Sequence, residues 1–138
     1  KMKLFSLAWK SSKRPSKQRK YRFNSALNMK RNLLAAPLAP DLKIRYSTRN
    51  LTVREGDTVK IMKCEFKGVT GRINSVNLRK STVYVDGAER VRKDGTKSFF
   101  PLRPSSLMLT EISVEDKKRA ASLTRKSAGN KPKPARRK

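Results

Sequence analysis

From Leu51 to Ile112 apolar and polar residues alternate with period two, and turn-forming residues recur every eight to twelve positions. Alternation of this kind marks half-buried strands, and short strands at such spacing predict a small all-β sandwich or barrel. Strands are predicted over residues 58–63, 71–76, 82–85, 89–93, 96–100 and 107–112. Val59 and Ile61 share the inner face of the first. Ile73 faces inward in the second, and Val76 joins it only if that strand kinks. Val83 and Val85 point inward from the third, Leu107 and Leu109 from the last. Phe99 and Phe100 are adjacent, so a strand sends them to opposite faces and one enters the core.

Asp94-Gly95 lies between two of these runs and predicts a hairpin on a two-residue type I′ turn, which needs positive φ at both central positions. Asp86-Gly87 offers the same chemistry after Val85. Outside the middle the pattern changes. Residues 10–22 have no apolar period and a breaker at Pro15, which predicts no fold of their own in water. Asn24 or Ser25 is predicted to cap a short helix with Leu27, Arg31 and Leu34 on one face, ending before Pro37; a second runs from Pro40 to Tyr46. Both are marginal alone. Ser113 to Asp116 opens a further helix with acids in its first turn, and from Lys131 the composition predicts disorder. The resulting organisation is a basic extension over 1–50 with short helices, a small barrel over 51–115 and a basic tail over 116–138.

Charge sharpens this division. The 138 residues carry 36 Lys and Arg against 10 Asp and Glu, a formal net charge of +26. Residues 1–50 hold fourteen basic residues and one acid (+13), 51–115 twelve and eight (+4), and 116–138 ten and one (+9). Self-repulsion at this density opposes compaction of the arms, and a polyanion such as nucleic acid supplies the charge to order them.

Several function classes drop out. Cys64 is the only cysteine and there is no histidine, which excludes an intrachain disulfide and the usual metal constellations; no metal or cofactor is expected, and the lone thiol fits a reduced, intracellular setting. Without histidine, a Walker-type glycine loop or grouped carboxylates, no enzyme is expected. The apolar stretch in residues 1–9 is too short for a secretory signal, nothing spans a membrane, and the basic segments lack the apolar face of a membrane-active helix. Lys1 precedes Met2, so residues 1–9 carry little weight, Trp9 as a hydrophobic anchor included.

The most specific stretch runs Val53-Arg54-Glu55-Gly56-Asp57-Thr58-Val59-Lys60-Ile61, then Glu65-Phe66-Lys67-Gly68-Val69-Thr70-Gly71-Arg72-Ile73. It resembles a KOW motif: Gly56-Asp57 turns into a strand, and Lys67-Gly68 and Gly71 let the chain reverse tightly and return. Ser16-Lys17-Gln18-Arg19-Lys20, Phe23-Asn24, Ala36-Pro37-Leu38, Asp94-Gly95-Thr96 and Leu102-Arg103-Pro104-Ser105 follow the order seen in one family. By these residues the chain resembles large-subunit ribosomal protein twenty-four in its archaeal and eukaryotic form, from about Lys13 to Lys117. The resemblance implies a mainly β, SH3-like KOW barrel in the cytoplasmic ribosome. It further implies binding to large-subunit ribosomal RNA near its 5′ region, a part in early subunit assembly, a place close to the peptide tunnel exit, contacts with neighbouring ribosomal proteins, and no homo-oligomer. Two positions depart from the family: Cys64 stands where Gly is common, which bears on the turn before Glu65, and Arg103 where His is common. A transcription-elongation or chromatin factor that borrows the KOW fold is the alternative.

The candidate RNA-binding residues fall in three groups. Lys13, Arg14, Lys17, Arg19, Lys20 and Arg22, with Tyr21 and Phe23 interleaved, suit a segment threaded between RNA helices with an aromatic ring stacked on a base. Lys30, Arg31, Arg45 and Arg49, with Lys43, lie on or beside the two short helices. Lys60, Lys63, Lys67 and Arg72 reach phosphates from strand edges and the motif loop, Gly68 lets the backbone approach, and Arg103 adds a cation beyond the hairpin. The bland readings are a solubilising tail for the first group and a solvated face for the third. Lys67 is the first choice for contact.

Overall fold

The computed structural model describes residues 12–129, with side chains through Arg125. The expectations for residues 1–9, Trp9 and the tail from Lys131 lie outside the described residues. The fold is mainly β, with several antiparallel sheets and a few short helices. Strand β3 (Thr58–Ile61) is central to the largest sheet: β4 (Thr70–Asn77) pairs with one edge and β8 (Leu107–Glu111) with the other, while β5 (Thr82–Val85) flanks β4. Strands β1 (Ala35–Pro37) and β2 (Asn50–Thr52) form a two-stranded sheet, as do β6 (Glu89–Val91) and β7 (Lys97–Phe99). Isolated bridges join Leu38 to Leu109 and Val83 to Leu102. The described strands do not close into a barrel.

Strand β5 has the predicted bounds, and β3, β4, β6, β7 and β8 lie within a few residues of theirs, whereas β1 and β2 are not predicted. Strand β3 ends at Ile61; the Met62 N–H still bonds the Ser106 carbonyl at 2.8 Å in the β8 register, and the chain then turns at Cys64, whose carbonyl accepts the Lys67 N–H. The kink that Val76 requires is present: pairing with β5 shifts register between Ile73 and Ser75, and Val76 packs against the core that Ile73 enters. An extra residue on one strand restores the inward face beyond it.

The core unites Val59, Ile61, Ile73, Val83, Val85, Leu107 and Leu109 with Leu34, Ala36, Leu38, Leu51, Leu102 and Leu123. It therefore takes side chains from both flanking segments. Leu34, Ala36 and Leu38 come from the β1 region, where Leu34 accepts the Val53 N–H at 3.0 Å and Ala39 donates its N–H to Leu109 at 2.8 Å. Phe100 packs against the core and Phe99 stays exposed, as adjacency requires.

Four local expectations are corrected. Pro15 begins helix α1 (Pro15–Asn24) instead of breaking the segment, because its fixed φ suits the first helical turn and its missing N–H costs nothing there. Ser25 closes α1, its hydroxyl donating to the Arg22 carbonyl at 2.8 Å, and α2 (Leu27–Leu33) starts after Ala26 without a side-chain cap. In the β6–β7 hairpin only Gly95 has positive φ; Arg92 accepts the Gly95 N–H and donates to Thr96, so the loop has three residues ending in a left-handed glycine. Helix α4 (Lys117–Gly129) has no acid in its first turn; Asp116 precedes it and accepts the Lys118 N–H at 2.7 Å. The helix predicted from Pro40 to Tyr46 is α3 (Pro40–Tyr46), with Pro40 in its first turn.

Candidate nucleic-acid interface

The motif loop between β3 and β4 is closed at its base by two bonds, Ile61 N–H to Val69 O at 2.9 Å and Gly68 N–H to Ile61 O at 2.8 Å. Within it Lys67 N–H bonds Cys64 O and Val69 N–H bonds Phe66 O, both at 3.2 Å, giving two overlapping turns. Gly68 has φ +94, a left-handed conformation that L side chains resist, although nothing lies near the place a Cβ would take. Gly71 is required for a different reason: a Cβ there would sit 2.1 Å from the Asp86 carbonyl oxygen. Cys64 holds φ 83 without being glycine. The turn before Glu65 is thus formed in spite of the substitution.

The loop is clamped to the β6–β7 hairpin from one side. The Arg90 guanidinium meets both Glu65 carboxylate oxygens at 3.0 and 2.9 Å and lies 5.3 Å from the Phe100 ring centre, and the Phe66 ring tilts against Phe100 at 5.5 Å. Lys63 and Lys67 face solvent from the clamped loop. The Met62 N–H to Ser106 bond brings the turn that starts at exposed Arg103 to the beginning of the same loop.

On the outer face of the sheet, Lys60 lies opposite Thr70 and Arg72 opposite Thr58, so the two cations are diagonal neighbours on one face. Both are exposed, and the Arg72 guanidinium extends over Gly56. Lys13, Arg14, Lys17, Arg19, Lys20 and Arg22 are exposed on and before α1, a helix that buries none of its residues; Tyr21 is half-buried and Phe23 82% exposed. Lys17, Arg19, Lys20 and Arg22 point around that helix and define no single face. On α2, Lys30 is half-buried, and Arg31 borders a cleft of about 440 Å³ with Arg54, Asp116 and Lys118. Arg45 on α3 lies 5.4 Å from the Tyr46 ring, and exposed Arg49 gives its carbonyl to the Leu38 N–H at 3.1 Å. The candidates thus form one group around the motif loop and sheet face and a second along the helices.

Among the described residues the ion pairs use Arg54 with Asp116, Arg90 with Glu65, Lys97 with Glu89, and Arg119 with Asp57. None of the candidate RNA-binding cations is in one. The paired acids are thus met by cations outside the candidate set, and only the Arg119–Asp57 pair is buried. The Asp116 carboxyl is held below its ordinary value by the Arg54 guanidinium and then by the Lys118 N–H, and Asp94 likewise by the Thr96 hydroxyl and N–H. No cluster of metal-ligating residues, and no helix long and apolar enough to cross a membrane, occurs among the described residues. Arg79 and Lys80 in the β4–β5 turn, and Arg92 and Lys93 in the β6–β7 turn, are further exposed cations outside the candidate set. Adjacent basic pairs at turns were the signal for them.

Comparison with known proteins places the chain in the class of structural, non-enzymatic ribosomal proteins. The family model that describes the eukaryotic L26 ribosomal proteins together with their archaeal L24 counterparts matches residues 12–126. Large ribosomal subunit protein uL24 of Methanosphaera stadtmanae is 40% identical over 115 residues, covering 83% of this chain and 98% of the relative. Its namesake in Methanosarcina barkeri is 39% identical over 112 residues, covering 81% and 97%. The chain belongs to this family of eukaryotic L26 and archaeal L24 ribosomal proteins.

Proposed function

We propose that the chain is a structural constituent of the large subunit of the cytoplasmic ribosome and holds large-subunit ribosomal RNA near its 5′ region. There it helps to start subunit assembly, close to the peptide tunnel exit and beside other ribosomal proteins, as a single copy. The carrying observation is the division of charge: every carboxylate in an ion pair is matched to an arginine or lysine outside the candidate set, and the candidate cations other than half-buried Lys30 are exposed. An RNA backbone is the polyanion with charge enough to meet them. The four-stranded sheet with its bridges at Leu38 and Leu102 supports reading the core as an open SH3-like KOW barrel. The barrel and its motif loop position the protein, and the exposed cations of the basic extension over 1–50 and of the tail over 116–138 follow the RNA, while Leu34, Leu38 and Leu123 of the same segments stay in the core.

Sucrose-gradient fractionation of cells with RNA crosslinking tests this. Recovery of the protein with large subunits, crosslinked to their RNA through Lys60, Lys63, Lys67, Arg72 or the α1 cations, is the expected result. Recovery in light fractions with messenger RNA would overturn it in favour of a transcription-associated factor.

A further inference from the structure

A groove of about 360 Å³ opens where the start of α2 meets the β4–β5 hairpin, away from the motif loop. Val76 and Leu78, both packed on the core, form its apolar part with Leu27, which is 48% exposed. Tyr84 contributes an aromatic ring; it lies opposite Ser75 in the β4–β5 register, and Asn77 is two residues further along the same face. The Asn77 side-chain oxygen accepts the Lys80 N–H at 3.0 Å and so pins the hairpin turn, which leaves the amide NH2 as the group it presents. Arg79 lines the groove from that turn, with exposed Lys80 beside it.

We infer that this groove takes one unpaired base of the bound RNA, stacked on Tyr84, with the Asn77 amide donating to a base carbonyl or ring nitrogen and Arg79 on the adjoining phosphate. The inference rests on the RNA-binding reading above and adds a subsite to it. Three features favour a base over the edge of a duplex or an apolar side chain of a neighbouring protein. Sequence-dependent recognition of RNA uses splayed bases stacked on aromatic rings, and Tyr84 is the half-buried ring of this groove. A volume at the low end of the roughly 300–1,000 Å³ typical of small-ligand sites suits a single planar group. A cation at the rim is complementary to the phosphate that accompanies a base and is of no use to an apolar side chain.

The test uses the full chain and three probes: a large-subunit RNA transcript, single-stranded oligo(A) and oligo(U), and a duplex RNA of equal length. Tyr84→Ala and Tyr84→Leu should each weaken single-strand binding by about fivefold or more, the low end for losing one stacked base, and leave duplex binding unchanged. Tyr84→Phe should bind as the parent does. Tyr84→Trp should bind and show quenching of its fluorescence by the oligonucleotides, beyond any change seen in the parent protein. Arg79→Ala, an exposed change that spares the fold, should lower single-strand affinity and reduce the slope of log K against log salt by about one. Transcript binding by the parent, with unchanged single-strand affinity in Tyr84→Leu and Arg79→Ala and no quenching in Tyr84→Trp, would overturn the base site and leave the RNA-binding reading standing. Quenching seen only in assembled subunits, and persisting there after ribonuclease digestion of the RNA, would overturn it in favour of a protein occupant. Failure of the parent to bind the transcript would remove the broader reading and the subsite with it.

Discussion

Arg119 and Asp57 form a two-pronged ion pair in the protein interior, with guanidinium Nη1 and Nη2 each 2.7 Å from a different carboxylate oxygen. The pair is wired into the backbone on both sides: Asp57 accepts the N–H groups of Arg54 and Ser113, and Arg119 donates to the Ser113 and Thr52 carbonyls. One carboxylate thereby joins the turn before β3, the end of β8 and helix α4. Removing one partner strands the other charge in the interior, which costs about 3–5 kcal/mol. Arg119→Met is expected to lose stability of that order in urea unfolding, and Arg119→Lys to recover little of it because an ammonium cannot bridge both oxygens. A loss under about 1 kcal/mol for Arg119→Met would show that α4 is not latched through this pair.

Cys64 occupies a left-handed conformation that costs an L residue about 1–2 kcal/mol, while glycine adopts it freely. Extra freedom of glycine in the unfolded chain offsets part of that gain. Cys64→Gly is expected to raise stability by about 0.5–1 kcal/mol, seen as a higher denaturant midpoint at unchanged slope. A lower midpoint would mean that the Cys64 side chain contributes packing that its exposed position does not suggest.

Gly71 and Gly68 separate two uses of glycine in one motif. At Gly71 an added Cβ meets backbone, the Asp86 oxygen at 2.1 Å, and β4 would have to move away from the turn after β5, where Asp86 N–H bonds Arg72 O at 2.9 Å. At Gly68 only the backbone angle is at stake. Gly71→Ala should therefore cost more, about 2–4 kcal/mol, against about 1–2 kcal/mol for Gly68→Ala, when both are compared by thermal unfolding. Equal costs would remove the close-approach explanation.

The strands around Val59, Ile73, Val83 and Leu109 were legible because each alternates inside and outside over several residues. Strands β1 and β2 were not, since three residues each, one of them Pro37, give no period to read. Pairing with each other defines them, together with the bridge from Leu38, just after β1, to Leu109 on β8, and both are non-local. The candidate cations could be named from charge alone, but which cations are engaged inside the fold could not: Arg119 and Asp57 lie 62 positions apart, and nothing local distinguishes Arg119 from Lys118. The Asp94-Gly95 hairpin was found at the right place with the wrong turn, because the dipeptide serves both the two-residue and the three-residue loop.

Asp116 gives a pH dependence with a definite sign. Its carboxyl is depressed below 3.8 in the folded protein by Arg54 and by the N–H of Lys118 at the start of α4. A depressed folded value contributes stability at pH above the unfolded value and loses it as pH falls through the folded one. The expected outcome is a midpoint below 3.8 for Asp116 in an NMR titration, rising in Arg54→Ala, with the first turn of α4 loosening only under that acid condition. An unmoved midpoint in Arg54→Ala would show that the Lys118 N–H suffices.

Truncation separates the part of the basic extension that binds from the part that folds. Residues through Asn24 include α1, which buries no side chain, whereas residues 25–50 supply Leu34, Ala36 and Leu38 to the core and a β-strand to the sheet with β2. Each of those leucines contributes about 2–5 kcal/mol when truncated in a packed interior, and the two together approach the whole stability of a small domain. Deleting residues 1–24 should leave a cooperative thermal transition while flattening the salt dependence of RNA binding, because up to nine cations are removed. Deleting residues 1–50 should abolish the transition itself. If the shorter truncation also fails to fold, α1 contributes packing that its exposed side chains do not show; if the longer one still melts cooperatively, the strands beyond Leu51 are self-sufficient and the core at Leu34 and Leu38 is dispensable.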